Sequence, residues 1–217
     1  MDLRVGIALA NPAPGRFVQL AAPGFFLRRP ISLCGAGNGM ARLVFAVKGR
    51  GTAALAALRP GDSVDLLGPL GNGFPAGAGR SLLVGGGIGL PPLLYYAQTF
   101  EDTHAIAGFR SPETAVLADE FPSAELCFGE DYPHTRLEKR LAAGERAARV
   151  LACGPVPLLK AAAAVCKRYG VPCYVSMEER MACGVGACLV CACAVGGSYL
   201  RCCKDGPVFD ASEVDWE

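Results

Sequence analysis

The chain of 217 residues has only two histidines, His104 and His134, in unrelated segments, and it offers no nucleophile motif and no evident pair of carboxylates. General acid–base chemistry needs such groups within hydrogen-bond reach of one another. Demanding chemistry would therefore fall to cofactors, with the protein supplying position and electrostatics. An excess of one charge is missing as well: 21 basic and 20 acidic residues are well mixed, for a net charge of +1. A nucleic-acid backbone calls for a basic stripe, so no nucleic-acid partner is expected. Nor is there an uninterrupted apolar span. Residues 81–100, SLLVGGGIGLPPLLYYAQTF, carry no charge, but four glycines and a Pro-Pro divide them into strand, loop and helix rather than a membrane crossing. The N-terminus, MDLRVGIALANPAPGRF, lacks the long apolar core of a signal peptide. A cytoplasmic address without membrane association is the expectation.

What is abundant is cysteine. Eleven thiols in a cytoplasmic chain are poor candidates for disulfides, because that compartment keeps thiols reduced. Metal ligation or plain burial remains. Apolar residues make up 52% of the chain against 19% charged. That is above average usage, so part of the surface is expected to be covered by another subunit. The length has room for two modest domains, or for one with an appendage, and no internal repeat is present.

Between residues 17 and 70, short β-prone runs (FVQLA, RPISLC, ARLVFAVKG, SVDLLGPLG) are separated by Gly and Pro, as in a small antiparallel barrel. TAALAALRPGD reads as one short helix closed by a Pro-Gly turn, and GNGFPAGAGR as a linker. From residue 81, apolar strands (SLLVGGG, HAIAGFR, AELCFGE, RVLACGP, PCYVSME) alternate with helical segments (PPLLYYAQTF, PETAVLADEF, TRLEKRLAA, VPLLKAAAAVCKRYG). This is the pattern of a parallel sheet covered on both faces. The last helix is expected over 156–170, with Pro157 near its start, Lys167 and Arg168 near its end and Gly170 as the stop. Residues 181–217 hold too little apolar material to fold alone and need a staple.

Cys183, Cys188 and Cys191 stand in C-x4-C-x2-C, the spacing that with a distant fourth Cys holds a plant-type [2Fe–2S] cluster. One loop can curl around the iron–sulfur rhomb, while Gly184 and Gly186 permit turns closed to other residues and bring amides near the sulfides. A structural zinc more often uses two C-x2-C knuckles, and burial alone asks for no spacing. Cys193, two residues past Cys191, is expected to project off the other side of the chain. The fourth ligand is then Cys202 or Cys203, which as neighbours face opposite ways, so only one of them can ligate.

GGGIGLPP at 85–92 follows a strand and precedes a helix, where missing side chains let a dinucleotide pyrophosphate lie against backbone amides at a helix N-terminus. The bland alternative is a tight turn with no ligand. ACGP at 152–155 ends the fourth strand of that sheet at its carboxyl edge, where open α/β sheets place ligands, although Cys153 also suits a small core position. In the barrel, RPIS at 29–32 and GRGT at 49–52 suit a flavin with its phosphates.

In their order along the chain, RPIS, GRGT, LLGPLGNGF, GGGIGLPPL, ACGP, EERMACGVGACLVC and CKDGPVF resemble the electron-transfer subunits of class B, NAD-linked dihydroorotate dehydrogenases, members of the ferredoxin–NADP reductase superfamily. The resemblance spans residue 15 to the C-terminus. It implies a β plus α/β fold: an FAD-binding barrel over 1–76, an NAD-binding α/β domain over 77–177 and a [2Fe–2S] segment over 178–217. It also implies that Arg29, Pro30, Ile31 and Ser32 bind the flavin, Gly51 and Thr52 its pyrophosphate, and that Val44, Phe45 and Ala46 flank it. Gly86, Gly87, Ile88, Gly89, Leu90 and Pro91, with Cys153, Gly154 and Pro155, would frame NAD(H). Cys183, Cys188, Cys191 and Cys203 would hold the cluster, Cys203 being the one directly before KDGPVF.

The function so implied is a relay in pyrimidine biosynthesis between NAD, FAD, a [2Fe–2S] cluster and the FMN of a dihydroorotate dehydrogenase catalytic subunit, in a hetero-oligomer such as a heterotetramer. Three departures stand out. The chain is short ahead of PGRF, so the first barrel strand is expected to be truncated; Ala46 replaces an Arg frequent in relatives; and GEDYPHTRLEKRL replaces a glycine-rich turn. One alternative is the reductase subunit of another NAD(P)H/ferredoxin or sulfhydrogenase complex. Another, of a different class, is a zinc-stapled interaction module.

Overall fold

A computed structural model describes residues 1–216. The first sheet is antiparallel, with strands β1 (Asp2–Gly6), β2 (Phe17–Leu20), β3 (Arg29–Gly37), β4 (Met40–Val44) and β5 (Leu66–Leu70) in the order β1-β4-β3-β2-β5. Alternation aims Val18, Leu20, Ile31, Leu33, Ala41 and Leu43 into one core. Leu55 of α1 (Arg50–Ala56) joins the same core. Asn38 and Gly39, at φ 51° and 72°, make the tight β3–β4 turn, whose twist matches that of the strands it joins. Ahead of PGRF the chain does form a strand: β1 pairs with β4 from Asp2↔Val44 to Gly6↔Met40. Its signal was the alternation of Leu3, Val5, Ile7 and Leu9, which pack half-buried on this core. Among the described residues β1 and β5 are the two edges of the sheet and do not pair with each other.

The second sheet comprises β6 (Ser81–Gly86), β7 (Thr103–Phe109), β8 (Ala124–Phe128), β9 (Arg149–Cys153) and β10 (Cys173–Ser176), all parallel. Successive residues of β6 serve opposite faces. Leu83 packs with Leu90, Leu93 and Leu94 of α2 (Leu90–Thr99). Leu82 and Val84 pack with Leu137 of α3 (Pro133–Ala142) and Leu159 of α4 (Val156–Tyr169). Helix α4 ends as expected: Gly170 adopts a left-handed conformation at φ 66°, and its amide caps Cys166 and Lys167. The expected helix in PETAVLADEF does not form. That crossover holds only two single 3-10 turns, because Leu117 takes a left-handed φ of 69° to bury its side chain and so breaks the helical path. No described helix is long and apolar enough to cross a membrane.

The two sheets are clamped together. Arg42 of β4 reaches Asp2 at 2.6 Å and Glu120 of the second unit at 2.5 and 2.8 Å, and these contacts raise its pKa. Cys34 and Val44 sit in the same core as α2.

The C-terminal segment folds as a hairpin, β11 (Ala192–Val195) and β12 (Ser198–Arg201), turned by Gly196 and Gly197. It is followed by β13 (Val208–Asp210), which adds antiparallel to β10 at the edge of the second sheet. A latch joins this segment to the linker after β5. The Asn72 side chain donates to the carbonyls of Asp205 (3.2 Å) and Val208 (2.8 Å) and accepts from the Val208 amide (2.9 Å). LLGPLGNGF and CKDGPVF thus touch. A Cβ on Gly71 would lie 2.6 Å from the Pro207 ring.

Replacing Asn72 by Ala removes its three hydrogen bonds to the Asp205 and Val208 backbone and is expected to cost about 1–3 kcal/mol. The loss should appear as a lower thermal midpoint and earlier proteolytic release of residues beyond 178. A variant as resistant as the parent would show that the latch does not hold the segment.

Candidate functional site

Arg29, the first residue of β3, folds its guanidinium over the start of α1, onto the place a Cβ on Gly51 would take. It also lies over the Phe25 ring at 5.0 Å, as Arg50 does at 5.8 Å. An open pocket is lined by Phe25, Arg29, Lys48, Arg50 and the turn Gly49–Thr52. Among the described residues no carboxylate pairs with Arg29, Lys48 or Arg50. Three uncompensated cations around a glycine turn fit the diphosphate of a flavin dinucleotide. The Thr52 hydroxyl is not free for that role. It accepts from the Lys48 and Gly49 amides (3.0 and 3.1 Å) and donates to the Gly49 carbonyl (3.0 Å), so it builds the turn.

Pro30 and Ser32 stand directly opposite Gln19 and Phe17 of β2, on the sheet face away from the Ile31 core. Val44 and Phe45 bury their side chains in two different cores, and the Phe45 backbone is paired with Met1 in both directions at 3.0 Å. Of that run only Ala46 is half-exposed.

The glycine loop and ACGP meet at one point. The chain runs from β6 through β7 to β8 on one side and returns to β9 and β10 on the other, so the strand order reverses between β6 and β9. Ligands of open α/β sheets bind outside such a point. Gly85 pairs with Cys153 there, and a Cβ on Gly89 would collide with the Cys153 carbonyl. A Cβ on Gly154 would lie 3.1 Å from the Gly86 amide nitrogen. Gly87 differs: at φ 53° it has nothing within 4 Å of its Cβ position, and Ile88 beside it is exposed. The helix start is a weaker anion site than the sequence implies. Pro91 and Pro92 have no N–H, and the Leu90 amide is used on the Gly87 carbonyl. The ligand contacts available here are therefore those of the loop itself.

The clustered cysteines fall into two pairs. Cys183 is held toward its thiolate, the form that binds metal: the Val185 amide, with the Cys188 thiol and amide, lowers its pKa to about 6. Cys191 and Cys203 form the second pair. The Gly186 amide points at Cys203 Sγ (3.2 Å) and the Cys203 amide at Cys191 Sγ (3.4 Å). Burial, and then the neighbouring Cys191, push Cys203 up to about 12, a preference that a cation between the two sulfurs reverses. Gly184 and Gly186, at φ 71° and 83°, bend the loop, and a Cβ on either would strike Gln19 (2.5 Å) or Lys204 (2.7 Å). Among the described residues no three metal-ligating side chains gather around a single point, as one zinc ion would require. Two sulfur pairs with amides aimed at them fit a two-iron cluster.

Cys193 and Cys202 point elsewhere. Their thiols donate to the carbonyls of Leu200 (3.6 Å) and Met177 (3.2 Å), and burial raises both pKa values, that of Cys193 to about 11. The reason expected for Cys193 needs correcting. Residues two apart in an extended strand share a face. It is the turn at Leu189–Cys191, with Leu189 at φ 60°, that parts Cys191 from Cys193.

Three side chains escaped the sequence reading. Gln19 is completely buried and neither atom of its amide has a partner among the described residues; its signal was a lone polar residue in the apolar run FVQLA. In GEDYPHTRLEKRL, Asp131 is held bidentately by Arg136 (2.6–3.0 Å), which lowers its pKa. That leaves Glu130 without an ion pair among the described residues, and the half-exposed Tyr132 ring stacked on His134 at 5.5 Å. His104 lies elsewhere, beside Ser123 and Arg140.

Residues 178–215 match the family model described as the iron-sulfur cluster binding domain of dihydroorotate dehydrogenase B. The chain is 43% identical to the "Dihydroorotate dehydrogenase B (NAD(+)), electron transfer subunit" of Bacillus caldolyticus, over 93% of this chain and 86% of the relative. It is 37% identical to that of Clostridium perfringens, over 93% and 87%. Among solved structures it resembles an NADH-dependent reduced ferredoxin-NADP oxidoreductase, studied for flavin-based electron bifurcation, with a TM-score of 0.88 at 28% identity, over 99% of this chain and 84% of that one. It also resembles an Amycolatopsis cytochrome P450 reductase, with a TM-score of 0.61 at 25% identity, over 77% and 61%.

Serine at Cys183, Cys188, Cys191 or Cys203 is expected to lose or weaken a bound cluster and to loosen the segment around it, whereas serine at Cys193 or Cys202 should leave both intact. Iron per chain and the EPR signal of the reduced protein across the six variants decide this. A Cys202→Ser protein without cluster beside an intact Cys203→Ser would reverse the assignment.

Proposed function

The chain belongs to the family of electron transfer subunits of dihydroorotate dehydrogenase B, and from that membership we propose how its residues divide the work. It is a subunit of an NAD-linked oxidoreductase of pyrimidine biosynthesis and uses FAD, a [2Fe–2S] cluster and NAD. When bound, these groups supply the exchange between a hydride's two electrons and the single electrons an iron–sulfur cluster carries.

Arg29, Lys48 and Arg50 hold the flavin diphosphate, with Gly51 left bare so that Arg29 can fold over it. Pro30 and Ser32 present the outer face of β3 to the flavin ring. Gly86–Gly89 and Cys153–Pro155 bring backbone close to the nicotinamide end of NAD at the switch point, with Gly87 facing the ligand. Glu130 accepts from the hydroxyls of the adenosine ribose and Tyr132 lies against the adenine. Cys183 and Cys188 hold one iron, Cys191 and Cys203 the other. The observation that carries this reading is the double use of β2: Gln19 and Phe17 stand opposite Pro30 and Ser32, while Phe17 packs in the apolar cluster that contains Cys191 and Cys203. The flavin strand and the cluster segment thus share one wall.

The catalytic partner, which carries FMN, docks where Cys188 is exposed between Val185, Leu189 and Val190, themselves 51–62% exposed. Covering these apolar side chains excludes water from the partner-facing end of the relay. Eleven free cysteines suit the cytoplasm, where thiols stay reduced. The alternative, a reductase subunit of another NAD(P)H/ferredoxin or sulfhydrogenase complex, has the 28% likeness to the ferredoxin-NADP oxidoreductase in its favour, against 43% for the dihydroorotate relative.

The purified chain is expected to oxidise NADH with an artificial acceptor and to leave dihydroorotate untouched, since it offers no acid or base for that substrate. Orotate formed by the single subunit would end this division of labour. Gly87→Ala, whose methyl group meets nothing within 4 Å but strains the left-handed backbone at φ 53°, should raise the KM for NADH severalfold and spare FAD content. Unchanged NADH kinetics in that variant would argue for a turn without a ligand. A side chain at Gly89 would instead test packing against Cys153.

A further inference from the structure

Gln19 sits in the middle of β2 with 0% exposure, yet among the described residues neither Nε2 nor Oε1 has a hydrogen-bond partner. A carboxamide carries two donors and two acceptor sites, and burying it unpaired is unfavourable enough that native proteins rarely do so without a use for the group. Its surroundings explain why no partner lies within the chain. Directly across on β3 is Pro30, which has no N–H; across on β5 is Leu67. Above it is the cluster loop, where the Cβ position of Gly184 lies 2.5 Å from Gln19 Nε2, 2.8 Å from Cγ and 3.0 Å from Cδ. The bare Cα of Gly184, next to Cys183, is what makes room for the amide. An apolar residue of similar volume would fill the slot without an unpaired amide. The retained polarity therefore faces something that the polypeptide itself does not supply.

We propose that Gln19 is a positioning residue of the relay, whose side-chain amide donates a hydrogen bond to the sulfur shell of the [2Fe–2S] cluster. The inference rests on the cluster assignment made above and adds to it a contact from the flavin-binding sheet. Its consequence is electrostatic. A cluster gains one unit of negative charge on reduction, and a donor aimed at its sulfurs favours the more negative state, raising the reduction potential. Because the donor belongs to β2, directly opposite Pro30, the strand paired with flavin-facing β3 tunes the flavin's one-electron partner.

The test uses the full chain with its cofactors reconstituted. Gln19→Leu removes the amide and keeps the bulk. It should retain iron and FAD, shift the cluster midpoint to a more negative potential, and alter the g-values of the reduced-cluster EPR spectrum. If the branched Leu prevents assembly, Gln19→Met occupies the slot without an amide and is read in its place. An apolar variant with full iron and FAD whose midpoint potential and EPR spectrum match the parent would overturn the proposal. A parent chain that binds no iron would instead overturn the cluster assignment itself, a result that cannot be confused with the first.

Discussion

Strand β2 has no solvent face, and much of the molecule depends on that constraint. All four of its residues are buried. Val18 and Leu20 fill the core of the antiparallel sheet, while Phe17 packs with the cysteine-bearing segment and Gln19 lies under its loop. A strand buried on both sides cannot slip by one residue without driving Gln19 into an apolar core and Leu20 against the cluster loop, so its register is set from both sides. Pro30 and Ser32 inherit that register through the β2–β3 ladder. The residues proposed to face the flavin and the cysteine loop are thereby located relative to each other by backbone pairing rather than by a flexible joint.

The cysteine segment shows how a piece of chain too poor in apolar residues to fold alone is made part of a larger core. Cys191, Cys193, Cys202 and Cys203 belong to the same apolar cluster as Val150 and Ala152 of the parallel sheet and Leu159 of α4. Free thiols behave as small apolar groups when buried, so cysteines outside the ligand set still stabilise the fold, while the ligand sulfurs are reached by amides of the loop and of the hairpin's end. β13 then ties the segment to β10, and Asn72 ties it to the linker. Arg42 performs the corresponding task between the two sheets, where its pairing with both Asp2 and Glu120 is half-shielded from water and so screened less than a surface pair.

Cofactor chemistry without titratable catalytic groups leaves the protein two levers, position and local electrostatics. Both are visible. Bare glycines at 51, 89 and 184 let an arginine, a carbonyl and an amide approach a backbone closely. Cations without counter-ions surround one turn, and amides surround one set of sulfurs. The exposed Val185, Leu189 and Val190 beside Cys188 are the reverse case, apolar surface that the proposed docking of the partner would cover.

Features encoded over a few consecutive residues were legible in the sequence. C-x4-C-x2-C is a local loop geometry, Gly170 stops α4 by its own backbone freedom, and strand–glycine–helix order is enough to anticipate the parallel sheet, since each depends on neighbours within a turn or two of chain. Where two distant segments must meet, only the tertiary structure decided the outcome. It aimed Cys202 at the Met177 carbonyl and Cys203 at Cys191, because the hairpin's end packs against β10 and the loop rather than standing free. It denied PETAVLADEF its helix, because burying Leu117 required a left-handed backbone there. Gln19 is a single polar letter in FVQLA until a loop more than 160 residues away is laid over it. Propensity and spacing act along the chain, whereas burial and hydrogen-bond satisfaction are settled between segments, and no local pattern carries that information.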